Sequence, residues 1–110
     1  MPTLLDQAVA AHQVGHSAEA ERLYRAALAA DGGSADALAL LGVVLGARGE
    51  FDEAIELTTQ ATALDPQSPL FHFHRGTVLM AAQRLPEAAD AFRRAIALKP
   101  DFVQAHYNLA

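Results

Sequence analysis

The sequence predicts an all-α fold: a right-handed α-solenoid of antiparallel helix pairs, in a single domain over residues 1–110. Three observations lead there. Asp65-Pro66 and Lys99-Pro100 each follow a segment ending in Ala-x-Ala-Leu, and the two lie 34 residues apart. Self-similarity at a fixed period of roughly 20–50 residues is the mark of stacked repeats, each one supersecondary unit that cannot bury its apolar face alone. Alanine fills 25 of the 110 positions, against five Phe and two Tyr, which suits closely packed helices and not a sandwich of bulky β-branched strands. Finally, small residues recur in phase with the period: Ala20, Ala54 and Ala88, with Ala8, Gly42 and Gly76.

Cutting at the prolines gives repeats 1–34, 35–68 and 69–102 and a partial repeat at 103–110. The second and third are identical at ten of 34 aligned positions. The punctuation agrees with two helices per repeat, and they are expected near 3–14, 18–30, 35–48, 53–64, 69–82, 86–98 and 102–110. Gly15 ends the first helix, and Ser17 can cap the second. Ser34 caps the third and Gly49 ends it; Asp52 can cap the fourth. Ser68 caps the fifth, with Pro69 at its first position, where a missing N–H does no harm. Pro86 opens the sixth in the same way. Glycine inside a helix costs about 1 kcal/mol relative to alanine, so close approach of a neighbouring helix is expected at Gly42 and Gly76, with Ala20, Ala54 and Ala88 facing them. Leu45, Leu57, Leu64, Leu79, Phe92, Ile96 and Leu98 are expected to fill the space between pairs.

These residues resemble the tetratricopeptide repeat (TPR), whose skeleton is W-x2-L-G-x2-Y, then A-x3-F, then P. In the second repeat that pattern falls on Leu38, Leu41, Gly42, Leu45, Ala54, Ala61 and Pro66. In the third it falls on His72, Arg75, Gly76, Leu79, Ala88, Phe92, Ala95 and Pro100. The first repeat has Leu4, Gln7, Ala8, Ala11, Ala20, Tyr24 and Ala27, with Gly32 in place of proline. The resemblance implies three full units and the first helix of a fourth, and a concave face built from the first helix of each pair that holds peptides or extended protein segments.

The groove positions it implies are Leu5, Asp6, Val9, His12 and Gln13; Asp36, Ala39, Leu40, Val43 and Ala47; Leu70, Phe73, His74, Thr77 and Met80; and Gln104, Tyr107 and Asn108. Leu40, Val43, Phe73, Met80 and Tyr107 can serve as groove anchors or as ordinary packing between successive first helices. Chaperone-binding members clamp a C-terminal carboxylate with Lys, Asn and Arg, but the matching positions here are Leu5, Asp6, Val9, Leu40, His74 and Thr77, so no clamp of that type is expected. Repeats attached to O-linked sugar transferases carry an asparagine at the slot that Asn108 occupies, whereas Asp6, Leu40 and His74 depart from it.

Other classes find little support. With no Cys, disulfides, thiolate metal sites and cysteine nucleophiles are excluded. A net charge of −5 argues against a nucleic-acid partner. No run of about 18 apolar residues spans a membrane, and the start does not resemble a secretory signal, so a soluble, cytoplasmic protein is expected. His72 and His74 lie on different helix faces, and no third ligand is in phase with His72 and His106; packing histidines are expected, with no metal and no cofactor. No phosphate loop, HExxH or GxSxG motif is present, so no enzyme activity is expected. Seven Arg against one Lys suggests a GC-rich bacterial gene. The final helix lacks a partner, which suggests the N-terminal fragment of a longer protein and self-association through that uncapped helix as an alternative. A further alternative is a substrate-recruiting arm of a glycosyl-, sulfo- or methyltransferase.

Overall fold

The computed structural model describes residues 1–109. Among them lie seven helices: α1 (Leu4–Gln13), α2 (Ser17–Ala30), α3 (Ala35–Ala47), α4 (Phe51–Leu64), α5 (Pro69–Ala81), α6 (Leu85–Leu98) and α7 (Val103–Leu109). The pairs α1–α2, α3–α4 and α5–α6 pack most extensively, successive pairs join through α2–α3 and α4–α5, and α3 also lies on α5. This is an all-α solenoid of paired antiparallel helices.

The first helices begin on side-chain caps. Thr3 and Asp6 form a reciprocal capping box, the Thr3 hydroxyl accepting from the Asp6 N–H at 3.0 Å. Ser34 Oγ accepts from the Ala37 N–H and Ser68 Oγ from the Phe71 N–H, both at 3.3 Å, and Pro69 occupies the first turn of α5. The second helices do not. Neither Ser17 nor Asp52 caps; the N-cap residues are His16, Glu50 and Arg84, and none uses its side chain. A tight C-terminal motif on the preceding helix explains this. Gly15, Gly49 and Gln83 sit at φ +85°, +83° and +65°. The residue after each bonds back five positions, His16 to Ala11, Glu50 to Leu45 and Arg84 to Leu79, at 2.9–3.0 Å. The carbonyls of those same residues then accept the first bond of the next helix, from Ala20, Ala54 and Ala88. One residue closes one helix and opens the next, so α4 starts at Phe51, two residues before its expected start.

The close approaches are offset from their expected partners. A Cβ on Gly42 would lie 2.6 Å from Thr58 Cγ2 and 3.1 Å from the Ala54 carbonyl oxygen, and one on Gly76 would lie 2.7 Å from the Phe92 ring. The side chain one turn beyond Ala54 or Ala88 therefore fills the space. Gly46 is a third such position, with Val78 Cγ2 at 3.1 Å. Ala8, Ala20, Gly42, Ala54, Gly76 and Ala88 are all buried. One core cluster joins Ala8, Ala20, Tyr24, Leu41, Leu45, Ala54 and Val78 across the first two repeat boundaries. A second gathers Leu79, Ala88, Phe92, Ala95, Phe102 and Ala105. Leu64 and Leu98 depart from expectation: at the ends of α4 and α6 they are exposed rather than packed between pairs.

Candidate functional site

Of the first helices, α3 packs directly on α5, while the second helices make no comparable contact with one another. The residues expected to face inward recur with the repeat. Val9, Val43 and Thr77 share one repeat position, Leu40, His74 and Asn108 another, and all six are half-buried. His12, Phe73 and Met80 are half-buried as well, and Tyr107 is exposed at 83%.

The choice between groove and core falls out residue by residue. Phe73 is chiefly packing: its ring stacks on Phe102 with centroids 4.9 Å apart and leans on Phe92 at 5.8 Å. Met80 rests on the same cluster, while Val9 and Leu40 rest on the one around Leu41 and Leu45. Ala39, expected in the groove, is fully buried. Asn108 lines a cavity of about 270 Å³ at the α5–α6–α7 end with Met80, Leu85, Ala88, Phe92 and Leu109. Thr77 donates its hydroxyl hydrogen to the Phe73 carbonyl at 3.0 Å, a local bond that fixes the side chain on α5. His12 stands edge-on to Tyr24, with centroids 6.5 Å apart. The Tyr24 hydroxyl is buried with no hydrogen-bond partner among the described residues, and burial pushes its pKa up. Burial also holds the His74 imidazole below its usual pKa; His12 adds to the shift and Asp36 opposes it.

The remaining histidines work in the turns. His72 Nε2 donates to the Pro66 carbonyl at 2.9 Å and His106 Nε2 to the Pro100 carbonyl at 2.8 Å, which ties each first helix to the proline turn before it. No group of three or more His, Asp or Glu able to hold a metal occurs among the described residues. The outer face carries paired charges. Arg25 bonds Glu21 at 2.9 Å and reaches Glu53 of the next repeat at 3.2 Å, while Arg48 returns from α3 to Glu21. Arg84 pairs with Glu87 and Arg93 with Asp90. Sequence reasoning missed Gln83, Gly46 and the cross-repeat pairs; only Gln83 was signalled, by standing 34 residues after Gly49.

Tetratricopeptide-repeat profiles match residues 4–72, 44–102 and 73–110. This chain belongs to the tetratricopeptide-repeat family. A peroxisomal targeting signal receptor of Candida glabrata is 40% identical over 70 residues, which is 64% of this TPR chain and 12% of that protein. Among solved structures, the O-GlcNAc transferase of Thermobaculum terrenum superposes with a TM-score of 0.93 at 32% identity, over 96% of this chain and 20% of that one. The type III secretion translocator chaperone SycD of Yersinia enterocolitica superposes with a TM-score of 0.82 at 27% identity, over 96% of this chain and 83% of the other. The TPR chain thus spans 12% of the length of the peroxisomal receptors it matches in Candida glabrata and Eremothecium gossypii.

Proposed function

We propose that this TPR domain is a non-catalytic protein-interaction module whose inner face holds an extended peptide or partner segment. The observation that carries this is the in-phase row Val9, Val43 and Thr77 beside Leu40, His74 and Asn108, half-buried on successive first helices. A segment laid across those helices meets an equivalent position at each repeat, which is how solenoids build extended binding surfaces. A carboxylate clamp of the chaperone-binding type has no cation to work with, because Leu5, Asp6, Val9, Leu40, His74 and Thr77 occupy its positions. A second reading, the recruiting arm of a larger enzyme, is favoured by the likeness to an O-GlcNAc transferase, of which this chain covers 20%.

Both readings require the inner face to bind. A dodecapeptide displayed on phage and selected on the immobilised chain tests it. Thr77→Arg is expected to weaken selected peptides about tenfold, equivalent to about 1.4 kcal/mol, while Arg93→Glu on the outer face leaves them unchanged. Circular dichroism confirms that both variants fold. Equal weakening by both, or by neither, would remove the inner face as the binding site.

A further inference from the structure

We propose that the boundary between the second and third repeats carries a site for a phosphate monoester, with Arg75 and Arg94 as its cations. None of the residues that line it belongs to the inner-face row, so the site stands independently of the peptide reading.

The sequence departs from its own repeat at this place. At the first boundary, Leu28, Leu38, Leu41 and Leu57 of α2, α3 and α4 are packed into the core. The residues 34 positions further on are Thr62, His72, Arg75 and Ala91. Four leucines thus give way to three polar side chains and one small one. The apolar seam becomes a cleft of about 340 Å³ between α4, α5 and α6, lined by all four together with Thr59 and Arg94. Sites for small molecules occupy about 300–1,000 Å³. One such replacement would leave ordinary surface; four that meet in one cleft build a polar pocket. Arg75, where Leu41 is fully buried, is itself half-buried.

The pocket has donors to spare. Arg75 Nε donates to Thr59 Oγ1 at 3.0 Å, which leaves the two terminal nitrogens without a partner among the described residues and the Thr59 hydroxyl hydrogen free to donate. Thr62 and His72 are already committed, Thr62 to the Thr59 carbonyl at 2.8 Å and His72 to the Pro66 carbonyl. Ion pairs among the described residues take up Arg22, Arg25, Arg48, Arg84 and Arg93, but neither Arg75 nor Arg94. Glu87 and Asp90 also line the cleft, and each is held by an arginine outside the lining. Both Glu87 oxygens accept from Arg84 at 2.9 Å, and Asp90 accepts from Arg93 at 3.1 Å. With those pairs internally neutral, two positive charges remain, and a half-buried guanidinium without a counter-ion is costly. A phosphate monoester carries about −1.5 to −2 near neutral pH, and its oxygens accept the forked donors of arginine. A neighbouring cleft of about 330 Å³ shares His72 and Arg94 and continues over Pro66, Ala97 and Leu98. That apolar floor suits the organic part of an ester.

The test is a heteronuclear NMR titration of the whole chain with phenyl phosphate and with inorganic phosphate, at an ionic strength held constant with sodium chloride. Amides of Thr59, Arg75 and Arg94 are expected to shift and saturate, with phenyl phosphate about tenfold tighter than inorganic phosphate. Arg75→Leu and Arg94→Gln install the residues that Leu41 and Gln60 supply one repeat earlier, and each should weaken phenyl phosphate about tenfold or more. Arg22→Gln on α2 should leave it unchanged. Circular dichroism checks folding, and Arg94→Gln at its exposed position carries the test if Arg75→Leu disturbs the fold. A phosphotyrosine pentapeptide separates the two sources of such a group: tighter binding than phenyl phosphate points to a phosphorylated partner segment, weaker binding to a free ester, and either supports the site. Four results overturn the proposal: no saturable shift at these residues, inorganic phosphate binding as tightly as phenyl phosphate, equal weakening by Arg22→Gln, or an affinity that ignores both Arg75→Leu and Arg94→Gln. Each would leave the inner-face reading standing.

Discussion

Gln83 holds the left-handed conformation that glycine holds at the two equivalent turns. A residue with a Cβ there costs about 1–2 kcal/mol, against roughly 0.5–1 kcal/mol for the extra backbone entropy that glycine loses on folding. Gln83→Gly is therefore expected to stabilise the chain by up to about 1 kcal/mol in a denaturant melt; a loss of stability would mean that the Gln83 side chain makes a contact that outweighs the strain. His74 sets a pH dependence. Its folded pKa lies below the unfolded value of 6.5 because burial disfavours the charged ring. The folded state therefore binds fewer protons than the unfolded one, so stability is whole above about pH 6.5 and declines as pH falls through the lowered folded value. Glu19 and Glu21, held below 4.5 chiefly by their arginine partners, titrate further down and do not confuse that window. His74→Gln should flatten the melting temperature between about pH 7 and pH 5; an unchanged slope would place its cause on other groups.

At the scale of the helices, phase was legible and partners were not. The 34-residue period located all seven, because two helices of fixed length per repeat leave little freedom. The starts of α2, α4 and α6 were hard to read, since backbone groups of the preceding turn do the capping and no side chain marks the place. Leu64 and Leu98 looked like packing residues from periodicity, yet sit on the last helical turn, where the following proline turn leaves them in solvent. The tight contact of each pair is the element-level claim to test. Gly42→Ala should gain about 1 kcal/mol in helix propensity and lose more, about 1–3 kcal/mol, to the clash with Thr58 Cγ2. Thr58→Ser removes that methyl and keeps the hydroxyl that donates to the Ala54 carbonyl at 2.9 Å. The double variant should recover at least half of the loss. Additive losses would show that the Thr58 methyl is not the obstacle and that the Ala54 carbonyl is.

Taken as a whole, the molecule is a short solenoid 38 × 26 × 23 Å in extent, with ion pairs linking successive repeats and half-buried apolar and hydrogen-bonding side chains recurring on its first helices. The stacking of one helix pair on the next was legible from the repeat register. How deeply each residue sits was not, because lining and core differ by one step around a helix and the answer depends on neighbours distant in sequence. Phe73 shows this: its position left groove anchor and packing both open, and Phe102, 29 residues away, stacks on the ring. The account stands or falls on the inner face. The most direct measurement is a heteronuclear NMR titration of the chain with a selected peptide, following every backbone amide. The account predicts shifts concentrated at Val43, His74, Thr77 and Tyr107, with Arg25, Glu53 and Arg93 unmoved. Shifts gathered instead on the outer helices, or around the cavity between Thr59, Arg75 and Arg94, would contradict it.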